Sequence, residues 1–218
     1  MKRMLHLKPL LLVLFAVACI VLHGNNVQAE TIYVCPSCHF SSIQDAIDNA
    51  FDGDTVIVAP GTYTEPLTLG KNIVLSGSGP DKTILNVDGN AITCKSDTNS
   101  GIIKNFYIQA TNFGIYCNKN NEVKIMNNVI EGCKNGIYAK GDIKRLTFFN
   151  NNILGNTDNG VYLDSYKKKI SNLTIFDNII GLNGNFGIYN YNLDQGIYND
   201  PGGVFSYEIT HNDFSGNT

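Results

Sequence analysis

Gly114-Ile115-Tyr116, Gly136-Ile137-Tyr138, Gly160-Val161-Tyr162 and Gly187-Ile188-Tyr189 are four copies of one triplet, separated by 22, 24 and 27 residues. Each copy but the last is accompanied by an Asn-x-apolar step, at Asn128-Val129-Ile130, Asn152-Ile153-Leu154 and Asn178-Ile179-Ile180. Degenerate copies of this step occur earlier, at Asn105-Phe106-Tyr107-Ile108, and later, at Asn212-Asp213-Phe214. Self-similarity at this period means stacked coils rather than an ordinary globular core. Two or three strands of a few residues fit each unit, so successive coils would pair strand on strand in parallel sheets, about 4.8 Å apart. Asparagine recurring at Asn105, Asn128, Asn152 and Asn178 is expected to form a side-chain amide ladder inside a turn.

Working outward, the chain before the repeats reads as a leader, a cap and an entry region. Lys2, Arg3 and Lys8 precede an unbroken apolar run from Leu10 to Leu22, and Val27-Gln28-Ala29 supplies small residues for cleavage before Glu30. Residues 1–29 are therefore expected to be a cleaved signal peptide, with one domain over 30–218. Cys19 lies within the apolar run, which weighs against a lipid anchor. Thr31–Val34 reads as a first strand. Ser42-Ile43-Gln44-Asp45 resembles a capping box, and Ile43, Ala46, Ile47, Ala50 and Phe51 make one apolar helical face. A short helix over about 42–51 is the expected plug on the open end of the coil. Short strands punctuated by Pro60-Gly61, Gly77-Ser78-Gly79-Pro80 and Asp88-Gly89 lead into the repeat. Asn192–Gly203 breaks the period and reads as a loop.

Charge and composition exclude some functions. Removal of three basic residues with the leader takes the net charge from −3 to −6 and leaves Arg145 as the one arginine. Nucleic-acid binding needs a basic face, and Lys167-Lys168-Lys169 is the only basic run, so no nucleic acid is expected. No second apolar stretch suggests a membrane span.

The residues Ser42-Ile43-Gln44-Asp45-Ala46-Ile47, Gly53-Asp54-Thr55-Val56, Gly61-Thr62-Tyr63-Thr64-Glu65 and Ile73-Val74-Leu75-Ser76-Gly77, with the later Gly-Ile-Tyr units, resemble the right-handed parallel β-helix superfamily. That superfamily holds pectate lyases, pectin methylesterases, alginate epimerases and exported carbohydrate-binding proteins. The resemblance implies an all-β, single-stranded right-handed parallel β-helix (a solenoid) with a short N-terminal capping α-helix, in a secreted, periplasmic or cell-surface protein. It implies activity less clearly, because fold does not carry function. Gly61-Thr62-Tyr63-Thr64-Glu65 matches a pectin methylesterase motif, but that family's aspartate-bearing segments are absent. Asp200-Pro201-Gly202-Gly203 lacks the histidine of the epimerase signature. Lyase chemistry on uronates would need a base and carboxylates for Ca²⁺; Arg145 is the candidate base, with Asp142, Asp164 and Asp177 as ligands. A relative in the superfamily is a periplasmic copper-binding accessory protein of nitrous-oxide reductase maturation. With His39, His211 and Met126 as the histidines and methionine after the leader, this chain is too poor in such ligands to make copper the leading one.

Strand alternation orders the remaining candidates. If Ile115 faces the core, Cys117 does too, and Tyr116 points outward. Tyr116, Tyr138, Tyr162 and Tyr189 are then an exposed column suited to sugar rings, with Lys119, Lys140, Asp164 and Asn192 just beyond. The plain alternative is that stacked tyrosines merely stabilise the sheet. Phe148-Phe149 and Phe176 read as core or turn stacking. Cys94 and Cys117 fall at equivalent places in adjacent coils, as small core residues or as an inter-coil disulfide. Cys133, in a turn, is the odd thiol. Cys35-Pro36-Ser37-Cys38-His39 matches the c-type haem attachment motif, for which His211 or Met126 would have to be the second axial ligand. Both lie far along the chain, and a short turn leading into a helix offers no pocket. A disulfide or paired thiols is therefore expected, with no haem and no metal site.

The expected function is polysaccharide binding or surface interaction through the tyrosine face. A uronate lyase and a scaffold or adhesin that self-associates through its C-terminal coil are the other classes.

Overall fold

The computed structural model describes residues 28–95, 100–119, 121–164, 172–191 and 206–217. Most of the expected leader, the lysine run and the Asn192–Gly203 loop lie outside these residues. Three parallel sheets run the length of the molecule, and the chain visits them in turn, one strand each per coil. The first sheet holds β1 (Thr31–Val34), β2 (Thr55–Val58), β5 (Val74–Ser76), β8 (Gly101–Lys104), β11 (Glu122–Met126), β14 (Arg145–Phe149), β17 (Asn172–Phe176) and β20 (Ser206–Thr210). The second holds β3 (Gly61–Tyr63), β6 (Thr83–Val87), β9 (Tyr107–Ala110), β12 (Val129–Glu131), β15 (Asn152–Leu154) and β18 (Ile179–Gly181). The third holds β4 (Leu67–Leu69), β7 (Ile92–Cys94), β10 (Phe113–Cys117), β13 (Asn135–Lys140), β16 (Val161–Asp164) and β19 (Ile188–Asn190). This is the right-handed parallel β-helix expected from the repeat. Gly61–Tyr63, expected only as the exit from a turn, is a strand in its own right.

Register makes the core. Val56, Leu75, Ile103, Ile125, Phe148 and Ile175 stack in one inward column of the first sheet, and all are fully buried. Leu85, Ile108, Ile130, Ile153 and Ile180 do the same in the second. Like residues recur because each coil faces an almost identical coil above and below, which rewards side chains of matching volume.

At the bend between the first and second sheets, Asn105, Asn127, Asn150, Asp177 and His211 adopt left-handed backbone (φ 50–63°). That conformation favours Asn and Asp among non-glycine residues. The next residue in each coil turns inward, and there the amide ladder forms. The Asn128 backbone N–H and Nδ2 both donate to Asn151 Oδ1 at 3.1 Å. Asn151 donates in the same way to Asn178 Oδ1 at 2.9 Å, and Asn178 to Asn212 at 3.0 Å. Each Nδ2 also reaches a main-chain carbonyl, such as Ile125 O from Asn151 at 2.8 Å. The ladder expected through Asn105 and Asn152 therefore runs one residue away at both positions. Asn105 belongs to the left-handed set, and Asn152 is a half-buried strand residue paired with Val129 and Ile179. The doublets and triplet of asparagine hid the register. A second ladder, at the bend between the second and third sheets, links the Cys133 N–H, Asn156, Asn183 and Asn217. Cys133 is a free thiol in a bend, as expected, and it is buried there, with its N–H starting this ladder.

The helix α1 (Ile43–Asn49) lies over the first coil with Ile43, Ala46 and Ile47 buried. Ser42 is its N-cap, accepting from the Asp45 N–H. The acid that completes the cap comes from Glu65, whose carboxylate accepts from the Ile43 and Gln44 N–H groups and the Ser42 hydroxyl at 2.7–3.2 Å. Phe51, expected on the buried face, is 67% exposed, because the helix ends at Asn49 and Ala50 is already extended. Gln44 pairs its side-chain amide with the backbone N–H and C=O of Thr68. It thereby satisfies an edge strand as a neighbouring strand would.

Asn151→Ala should lower the free energy of unfolding by about 3 kcal/mol, since it strands a buried N–H and carbonyl at about 1–3 kcal/mol each. Asn152→Ala should cost less than about 1 kcal/mol; urea midpoints of the two variants check the ladder's register.

Candidate functional site

The outer face of the third sheet carries the tyrosine column. Gly114, Gly136 and Gly160 stand at the start of the third-sheet strands, and none of the three has room for a side chain. A Cβ at Gly136 would lie 2.6 Å from Ile153 Cγ2 and 2.7 Å from Gly160 O, and its two counterparts meet the same neighbours one coil away. The following Ile or Val fills the core, and the tyrosine after it points out. Tyr116, Tyr138, Tyr162 and Tyr189 are paired in register, coil on coil, and all four are half-buried.

Their rings touch along the column: Tyr138 and Tyr162 stack at 5.0 Å, while Tyr116–Tyr138 and Tyr162–Tyr189 are tilted by 33° and 45° at 5.6 and 5.1 Å. Two phenylalanines extend the strip. Phe113 lies flat against Tyr138 (4.4 Å, 5°), and Phe186 stacks on Tyr189 at 5.2 Å. Sequence reasoning missed both, although each sits three residues before a Tyr of the triplet, in the place Asn135 and Asn159 occupy in the intervening coils. Tyr138 is stacked by Phe113 and Tyr162, and Tyr162 by Tyr138, so ring edges and hydroxyls make up much of the outward chemistry in the middle of the strip.

Asp164 organises the polar side of the strip. Its Oδ2 accepts a 2.7 Å hydrogen bond from Tyr138 Oη and lies 3.8 Å from Lys140 Nζ. Burial, and then the Asp164 carboxylate, push the Tyr138 phenol well above its ordinary range, and the same two causes raise Tyr162. On the second sheet, Tyr107 is pushed up to about 12 by burial and its hydrogen bond to Glu131. Lys119 is exposed two residues beyond the third-sheet strand β10, and Asn192 lies outside the described residues.

The residues considered for lyase chemistry are dispersed. Arg145 opens a strand of the first sheet and pairs with Glu122 at 3.4 Å. Asp164 is on the third sheet, and Asp177 is exposed at the bend between the first two. Asp142 is exposed in the connection before Arg145. Among the described residues, no three His, Cys, Asp or Glu side chains converge on a point that could hold a metal ion.

Cys35 and Cys38 are joined to each other, so both sulfurs that a thioether would use are already bonded. His39 packs edge-on against Phe40. His211 follows the strand at the opposite end of the first sheet, and Met126 lies midway along it. Cys94 and Cys117 do stack in register, in the inward column shared with Leu69, Ala139 and Leu163. They are buried thiols and not the inter-coil disulfide entertained from the sequence. Phe148 is core, while Phe149 and Phe176 stack at 4.4 Å on the outer side of the first sheet.

Residues 47–218 match the family model described as periplasmic copper-binding protein (NosD). A cell surface glycoprotein of Methanothermus fervidus is 34% identical over 106 residues, 47% of this chain and 18% of that protein. The chain thus aligns with under a fifth of that relative's length. Among solved structures, pectate lyase Pel9A has a TM-score of 0.53 at 16% identity, covering 79% of this chain and 58% of that one. An alginate lyase from Paenibacillus covers 86% and 97% at 14% identity, with a TM-score of 0.39. The first of these shows the fold alone. Copper would ask for converging thiolate, thioether or imidazole ligands, and the described residues do not fit that demand. Cys94 and Cys117 sit inside the core, Cys133 in a separate bend, and Met126, His39 and His211 in three different coils. Coil register and the match over residues 47–218 together place this chain in the NosD family of parallel β-helix proteins.

Proposed function

We propose that this is an extracellular or periplasmic β-helix protein that binds polysaccharide along the outer face of its third sheet. The observation that carries the reading is the aromatic strip of in-register Tyr116, Tyr138, Tyr162 and Tyr189, joined by Phe113 and Phe186. A linear glycan laid parallel to the solenoid axis meets one tyrosine per coil, at a repeat of about 4.8 Å, comparable with the length of one pyranose. Because the middle rings face each other, recognition works through hydroxyls and ring edges, with an exposed ring face free only where the strip ends. Asp164 and Lys140 add an acceptor and a donor for sugar hydroxyls. A periplasmic family description and a cell-surface relative support the location, as does the leader-like composition of residues 1–29.

Affinity electrophoresis through gels containing pectate, alginate, xylan or β-glucan tests the reading. One polymer should retard the protein without being consumed, and Tyr138→Ala with Tyr162→Ala should weaken that retardation at least about tenfold. Unretarded migration in every gel would remove carbohydrate from the account.

The raised phenols also predict alkaline behaviour. Tyr107, Tyr138 and Tyr162 hold their protons more tightly folded than unfolded, so their contribution is complete below about pH 10 and is lost as pH rises through the folded values. Thermal midpoints should fall above about pH 10, and Asp164→Asn should bring Tyr138 ionisation to lower pH in an ultraviolet titration.

A second reading, self-association through the C-terminal coils, rests on the exposure there of Leu182 (67%), Phe186 (52%), Tyr191 (51%) and Phe214 (42%). Sedimentation velocity should show association that grows with concentration and weakens in Leu182→Lys. A strict monomer at high concentration would overturn it.

A further inference from the structure

The Cys35–Cys38 pair takes no part in the tyrosine face. The bridge spans a sequence separation of three, with Cα atoms 5.0 Å apart. A cross-link this short removes little freedom from the unfolded chain, because the entropy removed grows with the logarithm of loop length. Nor does the turn depend on it. Cys38 N–H donates to Cys35 O, and Cys35 N–H to Phe40 O, both at 3.1 Å. Val34 bridges to Phe40, and the helix that follows is capped independently by Glu65.

Accessibility separates this pair from the other described cysteines. Both sulfur-bearing residues are partly exposed, between exposed Pro36, Ser37 and His39, whereas Cys94, Cys117 and Cys133 are fully buried thiols. Ser37 Oγ lies 3.6 Å from Cys35 Sγ, close enough for its hydroxyl to donate to a thiolate there. Thiol–disulfide exchange requires an accessible sulfur and a stabilised thiolate, and this turn offers both on an end of the molecule away from the tyrosine strip.

We propose that Cys35–Cys38 is a thiol–disulfide exchange site whose partner is an accessible dithiol on another protein of the same compartment. A partner thiolate attacks Cys35 Sγ, the Cys35–Cys38 bond breaks, and Cys38 leaves as a thiolate that takes up a proton. The partner's second thiolate then attacks its own sulfur in the mixed disulfide and expels Cys35 as the thiolate facing Ser37. Two electrons and two protons pass from the partner dithiol, which becomes a disulfide, to the pair, which becomes two thiols. The reverse sequence runs when the pair starts reduced.

The test uses the full chain carrying Cys19→Ser, with dithiothreitol as the model dithiol, maleimide quenching and mass spectrometry. Two labels should appear, on Cys35 and Cys38, with the circular dichroism and thermal midpoint unchanged. Reduction should be at least about tenfold faster than that of glutathione disulfide at equal concentration. Glutathione disulfide should modify Cys35 in Cys38→Ser several-fold faster than Cys38 in Cys35→Ser, and Ser37→Ala should narrow that difference. Reduction that proceeds only with unfolding, or no faster than glutathione disulfide, would make the bridge a structural staple and overturn the proposal. Equal reactivity of the two single variants would overturn the role given to Cys35. Glycan retardation is read separately, so failure of either proposal leaves the other intact.

Discussion

The hydrogen bond from one buried asparagine to the next, repeated along the axis, is the constraint on which the solenoid depends. Strand-to-strand pairing satisfies the backbone along each flat side, but at a bend the chain turns out of the sheet and its N–H groups lose their partners. A buried N–H left unpaired is costly. The amides of Asn128, Asn151 and Asn178 answer this by accepting with Oδ1 from a backbone N–H of the preceding coil and donating with Nδ2 to a strand carbonyl of that coil. A ladder of this kind works only if coils stay in register, so the polar bends and the apolar columns enforce the same stacking.

The N-terminal end meets the same requirement by other means. Its first strands have no preceding coil, and the helix supplies the missing partners. Gln44 stands in for a strand against Thr68, and Glu65 closes the helix N-terminus at the favourable end of its dipole. The Gly61-Thr62-Tyr63-Thr64-Glu65 segment therefore has a structural use here, with its glutamate holding the cap.

The tyrosine face follows from the same repetition. Once glycine is forced at the start of each strand by the carbonyl of the next coil, the residue two positions on must point outward, and any aromatic placed there becomes a continuous strip. The spacing of the strip is therefore set by the backbone. The polar contacts of Tyr138, Asp164 and Lys140 interrupt that uniformity and give one part of the strip a distinct character.

By itself the sequence determined the architecture: period, Gly-Ile-Tyr alternation and Asn-x-apolar steps each report a local backbone state that repeats, and repeated local states add up to a solenoid. The cap helix, the outward tyrosines and the inward Cys94 and Cys117 were legible for that reason. Only the tertiary structure decided which asparagine of Asn150-Asn151-Asn152 turns inward, that Glu65 caps a helix some twenty residues earlier, that Phe113 and Phe186 join the strip, and that Arg145 stands apart from Asp164. These depend on which coil lies against which and on one-residue differences in register, quantities set by packing between segments distant in sequence rather than by the residues of any one segment.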